Sequence, residues 1–341
     1  MLCCVIVTYG QRQGLLYATL RSAFAAGVDK AVVVDNGSGW DVAEHLAKDF
    51  GQAVNLVRHA RNLGSAGGFS AGMARALDLG ADELLLLDDD LGCSSDSLRH
   101  LRETLQKLMR KHGPEAAAVL GYRATHMAGF VGRPQAGGAL EVTPPILRFG
   151  LAHMLRSLVS LVLKPRARNP APTPAPAASP TGLYRVPYGP YGGLLLHRRV
   201  VKNIGLPDNR LVLYWDDIEW TYRLTQQGGE LCIDCDAPLE ELETSMAFRA
   251  RYLTRIHGLL LRPGDPHDSR IYYEVRNTAY FARHVAARDI CFPTTRLRGV
   301  KIAAALLGRL HSRQHRARTI ALAIRDGLAA DLGIKRDYPL E

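Results

Sequence analysis

Along the first hundred residues, short apolar runs alternate with stretches whose apolar positions recur at helical spacing. Cys3–Thr8, Ala31–Asp35, Val54–His59 and Glu83–Asp88 are runs of the first kind and predict strands. Leu15–Ala26, Val42–Phe50, Gly68–Leu79 and Ser95–His112 predict helices. Strands alternating with helices in this way imply a parallel α/β sheet, whose functional residues gather at the carboxyl ends of the strands. Thr8-Tyr9, Asp35-Asn36-Gly37 and Asp88-Asp89-Asp90 all fall at such ends.

Further along, the pattern changes. Arg148 to Lys164 is apolar with bases at 148, 156 and 164, the pattern of an amphipathic helix on a core or a membrane surface. It leads into a proline-rich segment, 165–182, which excludes helix and interior strand and is expected as an extended or mobile loop. Leu183–Leu196 is strand-like again, as though returning to the same sheet, and Glu219 to Gln227 predicts a helix stopped by Gly228-Gly229. Beyond Arg296, Leu306, Leu310, Ala317, Ile320, Ile324 and Leu328 recur at roughly helical spacing with bases between them, and one helix is expected from Arg296 to Arg325.

Composition narrows the classes. The chain has 341 residues, 47% hydrophobic and 22% charged, enough for a sizeable core, which excludes collagen-like and wholly disordered readings. Its net charge of +10 is unevenly placed: residues 1–243 carry 25 Lys/Arg and 25 Asp/Glu, and residues 244–341 carry 18 and 8. A neutral body with a basic end points to an anionic partner such as phospholipid, a phosphorylated substrate or nucleic acid. Nucleic acid is the weakest of these, because no recognised module surrounds the bases and aromatics are not interleaved with them. Six cysteines make no disulfide framework, and the Cys232/Cys235 pair lacks a second pair or histidines at zinc spacing. The N-terminus reads as a first strand rather than a signal peptide, and no stretch of about 18 uncharged apolar residues occurs. The expected location is the cytoplasm, including the inner face of the cell membrane.

Three groups of residues carry candidate chemistry. Asp88 and Asp90 share one side of an emerging strand and Asp89 takes the other, and neighbouring carboxylates repel unless a cation or an arginine lies between them. The cluster suits a Mg²⁺ or Mn²⁺ ion bridging to a diphosphate, and equally a solvated turn before the next helix. Trp215-Asp216-Asp217-Ile218-Glu219-Trp220 opens a helix. Acids there favour the helix dipole, while an apolar frame would raise Asp217 toward general-base duty. Ahead of both clusters in the chain, Asn62-Leu63-Gly64-Ser65-Ala66-Gly67-Gly68-Phe69 allows close approach of a phosphate at a helix N-terminus but matches neither a P-loop nor a dinucleotide fingerprint.

These motifs, with Val7-Thr8-Tyr9, Val34-Asp35-Asn36-Gly37-Ser38 and Tyr272-Tyr273-Glu274-Val275-Arg276-Asn277, appear in the order found in family 2 glycosyltransferases, which the chain resembles from residue 5 to about 285. The likeness is greatest to the galactofuranosyltransferase and rhamnosyltransferase branch. It implies a glycosyltransferase-A fold, a Rossmann-like mixed sheet, over residues 1–290, with 291–341 as a basic helical extension. It implies inverting, metal-dependent transfer from a UDP- or dTDP-linked sugar to a glycan or polyprenyl-diphosphate-linked acceptor in cell-surface polysaccharide synthesis. By the same resemblance, Thr8, Tyr9, Asp35, Asn62, Gly67, Gly68, Asp88 and Asp89 would line the donor. Asp88 and Asp90 would be the DxD pair holding Mn²⁺ or Mg²⁺. Asp217 would be the general base, with Asp216 and Glu219 shaping the acceptor side and Tyr191-Gly192-Gly193 nearby.

The chain also departs from that pattern. Gly10 stands where relatives often have Asn, and the metal-binding His of galactofuranosyltransferases is missing from Pro238–Glu243. Glu241 is the expected substitute ligand, with His257 and His267 as further candidates. The Gln-x-x-Arg-Trp motif of processive synthases is absent, which favours addition of one or a few sugars. A non-catalytic glycan-binding protein retaining the fold is the alternative that the missing His supports.

Overall fold

The computed structural model describes residues 1–127, 180–243, 259–260, 267–286 and 294–340. The expected helix at 148–164 and nearly all of the proline-rich segment, together with His257 and Cys291, lie outside the described residues. The described residues fall into two compact units. One is drawn from within Met1–Leu140, Thr181–Phe248 and Gly333–Glu341, the other from within Glu141–Pro180 and Arg249–Leu332.

The first unit opens with β1 (Leu2–Gly10), α1 (Gln13–Ala26), β2 (Lys30–Ser38), α2 (Val42–Phe50), β3 (Val54–His59), α3 (Gly64–Asp78), β4 (Glu83–Asp88), β5 (Leu91–Gly92) and α4 (Ser95–His112). It continues with β6 (Ala117–Tyr122), α5 (Ala124–Met127), β7 (Leu183–Arg185), β8 (Leu194–His197), α6 (Arg198–Ile204), α7 (Asp216–Gln226), β9 (Glu230–Pro238) and β10 (Glu240–Glu241). The first eight expected elements are all present, α3 beginning four residues earlier than Gly68. Leu183–Leu196 yields two separate short strands, β7 and β8. The eight-stranded sheet runs β3-β2-β1-β4-β8-β6-β9-β7, so it is mixed and mostly parallel, as the expected fold requires. β8 is antiparallel to both β4 and β6, and β7 to β9.

Burial on both faces explains the unbroken apolar run of β4. Leu84 and Leu86 pack on one side with Val5, Val34, Phe69, Met73 and Trp220. Leu85 and Leu87 pack on the other with Ile6, Leu16, Leu20, Leu98 and Leu101. Alternation along a strand thus feeds two cores rather than one core and solvent.

The second unit contains α8 (Ser269–Tyr280), α9 (Thr294–Leu310) and α10 (Gln314–Leu328). α8, expected within the 1–290 domain, packs here with α10, and Gly333–Glu341, expected in the extension, joins the first unit, where Gly333 N–H donates to the Arg210 carbonyl at 2.7 Å. The single helix expected from Arg296 to Arg325 is two helices. Ser312 stands at φ 53°, and Arg313 N–H turns back to the Gly308 carbonyl at 2.7 Å. Glycine at 308 lets α10 approach, since a Cβ there would lie 2.8 Å from that of Ala317. Leu306 and Leu310 are consequently exposed while Ile320 and Ile324 are buried, so the expected single apolar face is divided between two helices.

Candidate active site

The carboxyl ends of β1, β2, β4 and β6 converge, because parallel strands end on one side of the sheet. Thr8 and Asp35 are register partners across β1 and β2, and Val7 pairs with Asp88 of β4. Asp35 accepts from Ser38 N–H at 2.8 Å, which fixes the turn after β2, and Arg58 Nε lies 3.5 Å from its other oxygen.

Asp89 is the buried anchor of the acidic cluster. It accepts from Thr8 Oγ1 at 2.8 Å and from Arg12 Nε at 2.8 and 3.0 Å. The same guanidinium donates to Glu243 at 2.8 Å and to Asp90 at 3.1 Å, and it lies over the Tyr9 ring, 5.5 Å from the centroid. Burial opposes the Arg12 charge, but Asp89 and Glu243 outweigh it and hold the group protonated. Burial also raises the Asp89 carboxyl, to about 6, and raises Asp90, with Asp88 adding to the latter.

Asp88 points the other way, to Arg123 Nη1 at 2.8 Å. Arg123 follows β6 and is 5% exposed, and its Nε lies 3.5 Å from Glu241. Glu241 is brought there by antiparallel pairing of β10 with β5, which sets Glu241 against Leu91 directly after the aspartates. Gly192 leaves room for this contact, because a Cβ would fall 2.4 Å from Asp88 Oδ2 and 2.5 Å from Arg123 Nη1.

The second cluster enters from α7. Three non-glycine residues just before it, Val212, Tyr214 and Trp215, have φ of 68°, 64° and 67°. Side chains seldom accept that left-handed region, and such strain gathers where a structure must aim particular groups. It places Asp216 and Asp217 in the first turn of the helix. Asp216 is buried and accepts from Ser65 Oγ at 2.8 and 3.0 Å, which ties α7 to the start of α3. Burial raises Asp216 well above the carboxylate range, with Asp217 adding to it. Asp217 is half-buried and accepts from Ile218 N–H at 2.8 Å. Burial raises it to about 7 against that bond, Asp88 raises it further, and Arg123 lowers it. Glu219 is occupied by Arg223, whose Nε donates to it at 2.8 Å. Trp220 is a core residue bonded to the Gly205 carbonyl at 2.7 Å.

The glycine segment has a packing explanation. A Cβ on Gly68 would lie 2.5 Å from Val7 Cγ1, and one on Gly67 would lie 2.8 Å from Leu63 Cβ. Asn62 Oδ1 accepts from Gly64 N–H at 2.9 Å and from Asn36 Nδ2 at 3.0 Å, joining the ends of β2 and β3 to α3. Tyr191 packs on Phe69 and Trp220, with ring centroids 4.4 and 5.9 Å apart. In the second unit, Arg276 is fully buried over the Tyr273 and Tyr272 rings, at 4.8 and 5.7 Å, with its Nε on Asn277.

The donor set suits a hard cation in kind: Asp88, Asp90 and Glu241 are all oxygen ligands, and the cluster they belong to has five carboxylates against two arginines. Among the described residues, however, no three His, Cys, Asp or Glu side chains are disposed together as a metal site. Arg12 and Arg123 stand among the carboxylates instead. Neither was singled out by the sequence reading. The repulsion among Asp88–Asp90 called for a cation or an arginine, but Arg123 follows a strand that the apolar pattern did not reveal.

Residues 3–135, less than half of the chain, match the family model described as glycosyl transferase family 2, so this part of the chain is similar to the family 2 glycosyltransferases. Its particular likeness is to galactofuranosyltransferases. The galactofuranosyltransferase GlfT1 of Mycolicibacterium smegmatis is 29% identical over 237 residues, covering 67% of this chain and 66% of that protein, so the chain spans just under two thirds of it. GlfT1 of Mycobacterium tuberculosis is 28% identical over 267 residues, covering 77% and 75%. Among solved structures, GalNAc-T7 crystallised with UDP, GalNAc and Mn²⁺ has a TM-score of 0.49 at 16% identity, covering 80% of this chain and 51% of that one. Residues 1–349 of S. aureus TarS give 0.45 at 12% identity, covering 97% and 90%.

Proposed function

We propose that the chain transfers a sugar, galactofuranose or rhamnose, from a UDP- or dTDP-linked donor to a glycan or polyprenyl-diphosphate-linked acceptor, with inversion. The observation that carries this reading is the placement of Asp217 at the strained entry to α7, half-buried and raised to about 7 by burial, with Asp88 near enough to raise it further. A carboxylate so tuned accepts a proton from an acceptor hydroxyl near neutral pH as the hydroxyl oxygen attacks the anomeric carbon. Asp216, held by Ser65, sets the direction of the helix turn that presents Asp217. Asp35 and Thr8 at the strand ends would meet the nucleoside, with Asn62 and the α3 start beside them.

Asp88 and Asp90, with Glu241 as third oxygen donor, would hold Mn²⁺ or Mg²⁺ once Arg123 releases Asp88 and Glu241 and Arg12 releases Asp90. A divalent cation there would supply positive charge to the leaving nucleoside diphosphate. Arg12 and Arg123 keep the carboxylates apart and aimed. Galactofuranosyl transfer is favoured over rhamnosyl transfer by the two GlfT1 relatives.

The test is a panel of UDP- and dTDP-sugars with Mn²⁺, read by nucleotide release and by thermal shift. One donor should release nucleotide in a chelator-sensitive way. Asp217→Asn should abolish transfer and keep donor binding, and Asp90→Ala should lose the metal-dependent turnover. Near-normal turnover by Asp217→Asn would refute its role as the base.

A further inference from the structure

α9 is apolar on two opposite sides. Leu297, Val300, Ala303, Ala304 and Leu307 are buried in the second unit. Ile302, Leu306 and Leu310 are 58%, 45% and 66% exposed. At i, i+4 and i+8 they form one stripe about 12 Å long. They are three of the seven large hydrophobic residues exposed among the described residues, so the exposure is concentrated there rather than scattered. Arg298 and Arg309 are exposed on the same side by helical spacing, and Arg313 follows. From Thr294 to Arg325 the sequence holds eight Lys/Arg and no Asp or Glu.

An occupant of this face must offer negative charge and an apolar layer together. Nucleic acid supplies phosphates but nothing that would bury Leu310. A second copy would bring the same bases against these and repel. The boundary between headgroups and acyl chains of an anionic bilayer supplies both, and a helix with apolar and basic side chains on one side lies in that plane. No helix among the described residues is long and apolar enough to cross a membrane, so contact of this kind would be at the surface. We propose that the Ile302/Leu306/Leu310 face of α9 docks on an anionic phospholipid bilayer, with Arg298 and Arg309 on the headgroups. This does not rest on the transfer reading, because the test below reads no chemistry.

The full chain is sedimented with vesicles of phosphatidylcholine alone and of phosphatidylcholine with phosphatidylglycerol, at about 50 mM and about 500 mM salt, where screening shortens several-fold. Sedimentation is expected only with the anionic vesicles and only at the lower salt. A triple Ile302→Ser, Leu306→Ser, Leu310→Ser variant should bind at least tenfold more weakly with an unchanged circular dichroism spectrum, since these side chains contribute little to the core. Arg298→Gln with Arg309→Gln should also bind roughly tenfold more weakly. The proposal fails if the chain stays in the supernatant at low salt, sediments equally with phosphatidylcholine alone, or sediments unchanged in the triple variant. It also fails if light scattering shows a dimer that the triple variant converts to monomer, which would give the face to a second copy.

Discussion

Arg12 and Asp89 are joined by two short bonds, from Nε to Oδ1 at 2.8 Å and to Oδ2 at 3.0 Å, and through Arg12 the buried aspartate fixes Asp90 and Glu243. Removing the guanidinium would leave Asp89 with the Thr8 hydroxyl as donor and a buried charge without compensation. Breaking a buried pair from one side costs about 3–5 kcal/mol. Arg12→Gln should therefore lower the urea unfolding free energy by about that much, and Arg12→Lys should recover part of it, because an ammonium restores charge but not the fork. An Arg12→Gln protein within about 1 kcal/mol of the parent would show that the cluster does not depend on Arg12.

What the sequence made legible follows local periodicity. β1 to β4 and α1 to α4 stand out because each burial face repeats at the spacing of its own element, and Glu83–Asp88 shows its fully buried character as an unbroken apolar run. The carboxylates were legible as well, since Asp88–Asp90 and Asp216-Asp217 sit where an apolar element ends. Partners separated along the chain by long intervals were not. Arg123 reaches Asp88 only because β6 is laid beside β8, and Glu243 reaches Arg12 across 231 residues. No local pattern encodes such pairings. The break between α9 and α10 was not legible for a related reason: spacing shows that Leu306, Leu310 and Ile320 recur helically, but not that the chain turns back at Gly308 to Arg313.

Gly64 is held at φ 79°, and a Cβ on it would lie 1.9 Å from the Val212 carbonyl oxygen, the residue that begins the strained entry to α7. Ala66 N–H donates to that same carbonyl at 3.2 Å. Gly64→Ala should therefore cost more than the 1–3 kcal/mol typical of an inserted methyl in a packed core, roughly 3 kcal/mol or above, because backbone must move and φ is unfavourable. Gly80 at φ 82° has open space around it, so Gly80→Ala should cost only about 1 kcal/mol. Equal urea midpoints for the two variants would show that the contact with Val212 carries no weight.

In the second unit, Tyr272 Oη donates to Asp326 Oδ2 at 2.7 Å, both groups buried, while Arg325 Nε donates to the other oxygen at 3.0 Å. Tyr272→Phe leaves one oxygen of a buried carboxylate without that donor and should destabilise by about 1–3 kcal/mol. Asp326→Asn keeps an acceptor for the phenol and should cost less. Hydrogen exchange at α8 and α10 amides, compared between the variants and the parent, would locate the loss, and unaltered protection in Tyr272→Phe would contradict it.

For Asp217 the pH dependence has a definite sign. In its proposed role of general base Asp217 works deprotonated, so with the carboxyl raised to about 7 the transfer rate should rise with pH through the neutral range and level off above it. Burial is the main cause, Asp88 pushes in the same direction and Arg123 opposes it. Arg123→Gln should thus move the acid limb of residual kcat to higher pH while lowering kcat itself, and Arg123→Lys should return the limb toward its original position. A structural loss at Arg123 would depress activity at every pH without moving the midpoint. Transfer rates measured from about pH 5.5 to 8.5 for the parent and both variants separate the two outcomes, and an unmoved midpoint in Arg123→Gln would show that its charge does not act on Asp217.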